Sequence, residues 1–144
     1  MDYRKGSIKR VFVAKVEHGE DLLEELTGLA LREEIRSAFF TIIGAMGEAK
    51  LVTGPKEKSV PPETVWSEFD DVRQVIGVGN IFWEKGTPRI HLHSAAGSSK
   101  GFTMGCIRKK AEAFMVLEVF IIEIDISAER NADEKMGFSP ITFK

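Results

Sequence analysis

Only one stretch of this sequence carries a helical period, and nearly everything after it is β-type. The chain is thereby limited to a sheet with a single helical cover. From Asp21 onward, Leu22, Leu26, Leu29 and Ala30 fall at i, i+4, i+7 and i+8, one apolar face of a helix running to about Glu34. Glu20, Asp21, Glu24 and Glu25 crowd its first turns, where the helix dipole favours negative charge, so they are read as caps and not as ligands or acids. Gly28 sits mid-helix at a cost of ~1 kcal/mol relative to alanine, which predicts a closely packed neighbour.

Before the helix, Arg10 to Val16 is β-branched and aromatic and reads as a strand. After it, Ala38 to Ala45 is a strand ending in the glycines Gly44 and Gly47, and Ala49 to Thr53 is a short separate one. Gly54 to Pro62, with three prolines, is an exposed loop. Thr64 to Phe69, Val72 to Gly79, Asn80 to Trp83, Arg89 to Ala95, Phe102 to Ile107 and Met115 to Asp125 complete about eight or nine strands. The expected class is α+β: a mostly antiparallel sheet or barrel with one major helix near the N-terminus, not a doubly wound fold. One domain is expected over residues 1–144, with its core at about 8–125 and a C-terminal tail at 126–144.

Several functions are disfavoured by composition. Gly77-Val78-Gly79 leads into another strand and offers no helix N-terminus to a phosphate. A net charge of −2 removes the simplest argument for nucleic-acid binding, and the basic clusters Arg4-Lys5, Lys9-Arg10 and Arg108-Lys109-Lys110 read first as solvated termini and strand ends. One cysteine excludes an internal disulfide. No apolar run reaches the ~18 residues that span a bilayer, and no apolar segment follows Met1-Asp2-Tyr3-Arg4-Lys5 as in a signal peptide. A cytoplasmic location without a membrane partner is expected.

The chemistry concentrates in one hairpin. His91 and His93 are two apart on a strand, so both imidazoles face one side. Gly97-Ser98-Ser99-Lys100-Gly101 is a turn, and Cys106 lies on the returning strand. If Cys106 opposes His91 or His93, the turn centres between Ser98 and Ser99 or between Ser99 and Lys100, inside that cluster. The three side chains then share a face, and a one-residue slip would send Cys106 to the other. Two imidazoles and a thiolate suit Zn²⁺ best and leave a fourth position for water, a small anionic ligand, substrate or a neighbouring subunit.

Gly19-Glu20-Asp21, Ile43-Gly44-Ala45, the stretch from Val75 to Asn80, and His91-Leu92-His93 through Gly105-Cys106 resemble the PPC (plant and prokaryote conserved) domain over roughly Ile8 to Asp125. The resemblance implies an α/β domain that assembles as a homotrimer. Prokaryotic members are described as predicted DNA-binding proteins. In plants the domain follows AT-hooks, whose Arg-Gly-Arg-Pro core is absent here. The family's His-x-His, glycine and Gly-Gly-His fall on His91, His93, Gly97 and Met104-Gly105-Cys106. The chain thus has Met104 where the family has glycine and Cys106 where it has histidine. Acetolactate decarboxylase resembles the family in fold and holds zinc with histidines, so the resemblance carries two functions. One is a zinc-containing homotrimeric domain with a DNA-binding or regulatory role. The other is a zinc enzyme acting on a small oxygenated substrate, for which Arg36, Glu68 and Arg73 are candidate partners.

Overall fold

The computed structural model describes residues 1–144. Its elements are β1 (Ile8–Glu17), α1 (Leu22–Arg32), β2 (Ser37–Pro55), β3 (Thr64–Phe69), β4 (Arg73–Glu84), β5 (Thr87–Ser98), β6 (Gly101–Ile124), β7 (Ala128–Arg130) and β8 (Ile141–Phe143). All eight strands join one sheet, antiparallel except for a parallel bridge between β4 and β7 at Trp83 and Glu129. The pairings β2–β6, β6–β5, β5–β4 and β4–β2 close a circuit, so the sheet curls around its inner face.

The helix fills the open side of that curl. Leu22, Leu26 and Ala30 are buried against β5 and β6, and Leu29 packs against the same core. Asp21 is its cap: one carboxylate oxygen accepts from the Leu23 and Glu24 amides, while the other accepts from the Ala111 amide of β6 and ties the helix entry to the sheet. The helix ends at Arg32, short of Glu34, which carries a positive φ. Gly28 has no close neighbour: an added Cβ would meet only the flexible end of Arg32, so the expected tight contact is absent.

The strand breaks expected from glycine are bends inside longer strands. Ala38–Ala45 and Ala49–Thr53 belong to one strand, Ser37–Pro55. Val72–Gly79 and Asn80–Trp83 belong to Arg73–Glu84. The break expected between Phe102–Ile107 and Met115–Asp125, which no glycine marks, is absent too: both fall in the 24-residue β6, which ends at Ile124. At Gly44 (φ 135°) a side chain would collide with the carbonyl oxygen of Val116, and here the β2–β6 register shifts. A glycine with positive φ and a bulge together supply the curvature that a straight strand lacks.

A second register shift places functional residues. Leu51 opposes Ile107 but Lys50 opposes Lys110, which leaves Arg108 and Lys109 as an unpaired bulge on β6. Both side chains are exposed instead of alternating.

Candidate metal centre

His91, His93 and Cys106 lie on the outer face of the curled sheet, while Leu92, Ser94 and Ala96 between and beyond the histidines point into the core. Across the hairpin His93 opposes Cys106 and Ser98 opposes Gly101, so the turn centres between Ser99 and Lys100, the second of the two expected registers. Gly105 makes this approach possible, because any side chain there would run into the carbonyl of Val52 on β2. Met104, the neighbouring departure from the glycine pattern, points outward and is exposed, where glycine is not sterically required.

The donor atoms of His91, His93 and Cys106 all lie within 4.8 Å of one another. The two Nε2 atoms are 3.1 Å apart. Nitrogens ~2.05 Å from a tetrahedral zinc stand roughly 3.3 Å apart, so the imidazole pair is already at ligand spacing. Cys106 is only 5% exposed. The donor set therefore fits a borderline-soft divalent ion.

Two cations hold these side chains from behind. Arg108 Nε donates to Cys106 Sγ at 3.1 Å. Arg130 donates through Nη2 to Asn80 Oδ1 at 2.8 Å and to His91 Nδ1 at 3.2 Å, and through Nη1 to the carbonyl of Ser139. A guanidinium can only donate, so Nδ1 of His91 accepts and the ring proton sits on Nε2, facing His93. A metal on Nε2 requires that proton to move to Nδ1, and Arg130 must then turn away from the ring.

Burial, first, and then the charges of Arg130, His93 and Arg108 push the His91 pKa down from 6.5 to about 4. The folded ring stays neutral where the unfolded one takes up a proton. This contribution to stability is full above about pH 6.5, falls as pH drops toward 4, and is gone below it. Urea unfolding in chelator at pH 7 and pH 4.5 should show wild type losing more stability than His91→Gln over that interval. Equal losses would contradict the assignment.

The other residues suggested as partners are placed elsewhere. Arg36 stacks over Trp83, Glu68 pairs with Lys50, and Arg73 is held by Asp71 and Thr103. The chemistry beside the donor set comes instead from Arg108, Asn80 and Arg130. Arg130 is 39 positions from His91 in the chain, in the segment set apart as a tail, so no local spacing marks it.

The family model of the Plants and Prokaryotes Conserved (PCC) domain matches residues 3–125. Among solved structures, the chain is similar to a metal-containing protein of Archaeoglobus fulgidus, with 24% identity, 97% of this chain and 98% of that one covered, and a TM-score of 0.86. A plant- and prokaryote-conserved protein of Pyrococcus horikoshii is similar at 24% identity, with coverage of 100% and 99% and a TM-score of 0.85. A candidate DNA-binding protein from Ralstonia eutropha follows at 21% identity, with coverage of 92% and 90% and a TM-score of 0.78. The expected kinship of fold with acetolactate decarboxylase is present in the Bacillus subtilis enzyme: 16% identity, 78% of this chain, 52% of that chain, TM-score 0.57. No curated protein matches the sequence. At these identities the neighbours establish the fold.

Proposed function

The chain belongs to the Plants and Prokaryotes Conserved (PCC) domain family, and from that premise we propose that it is a zinc-binding domain that works as a homotrimer and contacts DNA. The observation that carries the metal is the convergence of His91, His93 and Cys106 on one outer face with imidazole nitrogens at ligand spacing. Zinc bound there would supply a Lewis acid and hold Cys106 as a thiolate. The metal-containing neighbour from Archaeoglobus fulgidus supports the same reading.

Self-association is supported by what surrounds the histidines. Val13, Phe120, Thr41, Val78 and His93 are successive cross-strand neighbours on the outer face, and Ile76 and Ile43 extend the row beside them. Ile76 is 62% exposed and Val78 51%, in a patch of β-branched and aromatic side chains that a monomer leaves in water. A closed trimer burying this face would bring each metal site to a subunit boundary.

DNA contact is supported by the neighbour from Ralstonia eutropha and by two unpaired cations. In the N-terminal basic clusters only Lys5 is left without an ion pair: Arg4 pairs with Asp2, Lys9 with Asp125, and Arg10 with Glu33 and Glu123. Lys110 is likewise taken up by Glu48 at 2.5 Å and Glu112 at 3.5 Å. Arg108 and Lys109 remain as the one adjacent pair of cations in these clusters that forms no ion pair. Affinity for a short duplex should fall with salt at a slope of about −0.9 per phosphate neutralised. Arg108→Ala with Lys109→Ala should flatten that slope, while Lys110→Ala should leave it unchanged. Fluorescence anisotropy across a salt series checks this, and a duplex that stays unbound at ~50 mM salt would remove DNA from the proposal.

A second reading, a zinc enzyme acting on a small oxygenated substrate, is favoured by one observation. A cleft of about 590 Å³ opens directly on His91 and Cys106, a size that accommodates a small molecule.

A further inference from the structure

The cleft beside the metal ligands is lined by four cations and by no acidic side chain. Arg89 is paired with Glu84 at 2.9 Å, but Arg108, Lys109 and Arg130 form no ion pair. Glu84 is the carboxylate whose charge acts on Arg130, and it is engaged by Arg89 and by the Ser139 hydroxyl at 2.5 Å. Arg130 also carries a buried Nε without any hydrogen-bond partner. A desolvated guanidinium with an unsatisfied N–H costs free energy unless an acceptor completes it. Three uncompensated cations around one concavity make the same demand electrostatically.

Apolar side chains lie among these cations. Trp66, Pro88 and Phe138 line the cleft, and the Lys109 ammonium lies 5.0 Å from the Trp66 ring centre. Lys109 and Arg108 reach this space because of the β6 bulge; in regular pairing they would point to opposite faces. Arg130 reaches it because β7 bridges to β4.

We propose that this cleft binds a small aromatic oxyanion, a carboxylate or phosphate monoester, with its charged head among Arg108, Lys109 and Arg130 and its ring against Trp66. The arginine forks match the two oxygens of either head group. The proposal does not depend on zinc: the anion is held by side-chain cations, and the metal ligands only border the site. Nor does it assign a reaction.

Trp66 reports occupancy directly. The other tryptophan, Trp83, is buried with Nε1 bonded to the Ile35 carbonyl and lines no part of the cleft, so it gives a constant background. Phenylphosphonate, benzoate and inorganic phosphate are titrated into the full chain, once with chelator and once with one equivalent of zinc. Trp66 fluorescence and calorimetric heat are read in parallel. Phenylphosphonate or benzoate should quench Trp66 with a Kd on the order of 0.5 mM, and inorganic phosphate should bind at least about tenfold more weakly. Whichever aromatic anion binds tighter identifies the head group as phosphate or carboxylate. Lys109→Ala should weaken binding about tenfold in both metal states, with an unchanged unfolding midpoint. Arg108→Ala should do the same in chelator, where losing its contact with Cys106 Sγ cannot change metal occupancy. Trp66→Phe should abolish the optical signal while the heat persists.

Three results would overturn the proposal. One is the absence of heat and quenching with all three anions at 10 mM, an upper limit roughly twentyfold above the expected Kd. Another is binding that needs zinc and ignores Lys109→Ala, which places the anion on the metal. The third is a duplex that binds in a Lys109-dependent way while the small anions leave Trp66 unmoved, which gives the cations to a polymer's phosphates.

Discussion

Protein purified without an affinity tag should carry close to one zinc per chain by elemental analysis. The physical basis is the cost of holding two imidazoles and a thiol with their lone pairs converging: without a cation, Nε2 of His91 and Nε2 of His93 share a single proton at 3.1 Å. A divalent ion takes that proton's place, the proton moving to Nδ1 of His91, and engages both rings and the sulfur at once. His91→Ala should lower the content below about a tenth of an equivalent, because two remaining ligands seldom retain zinc against buffer. Cys106→Ser should do nearly the same, since a hydroxyl is a poor zinc ligand. Cys106→His restores the family's ligand pattern and should keep the metal. Cobalt substitution separates the last two cases: wild type should show thiolate-to-metal charge-transfer absorption, and Cys106→His should bind cobalt without it. Wild-type protein below about a tenth of an equivalent after dialysis against Zn²⁺ would sink the metal reading.

That hairpin was partly legible. The His-x-His period and the Gly/Ser turn are compatible with Cys106 opposite either histidine, and the structure adopts one of these two registers, His93 opposite Cys106; the parity itself, which a one-residue slip would have changed, is settled only by the strand pairing. The helix was clear, since its cap, its acidic first turn and its apolar face coincide at Asp21 to Ala30. Strand continuity was not legible. Glycine at positions 44, 47, 77 and 79 signals a break when only local propensity is considered. In a tightly curled sheet the same residue marks where a strand bends or where another chain segment crowds it. At Gly79 an added Cβ would strike the Phe40 ring and the backbone oxygen of His91. The setting of the candidate donor set was hidden for a different reason. Arg108 and Lys109 become neighbours of the cleft through a bulge that only the β2 pairing reveals, and Arg130 arrives from the far end of the chain. Such long-range contacts leave no periodicity, which is why Arg36, Glu68 and Arg73 were weighed in their place.

The second large effect concerns assembly. Sedimentation equilibrium should give about three times the 16.1 kDa chain mass. The long apolar segments Val75 to Trp83 and Met115 to Ile122 carry more hydrophobic surface than one helix can cover. Their inner residues, among them Ile81, Leu117, Val119 and Ile121, fill the core, while Ile76, Val78, Met115 and Phe120 stay exposed outside. Full burial of such a side chain is worth roughly 1.5–3 kcal/mol, so one left about half exposed forgoes about half of that. The cross-strand row spans five strands on each copy, enough to build a standard interface of roughly 800 Å² per partner. Ile76→Asp with Val78→Asp places two carboxylates in the middle of that row without touching the inner core, so the fold should persist by circular dichroism. Burying an uncompensated charge at a subunit contact costs several kcal/mol. The double variant should therefore sediment as a monomer at concentrations where wild type is assembled. Wild type that sediments as a clean monomer at micromolar concentration, or a double variant that still trimerises, would mean that this face is not the contact. The histidine and cysteine ligands would then have to complete their coordination within a single chain.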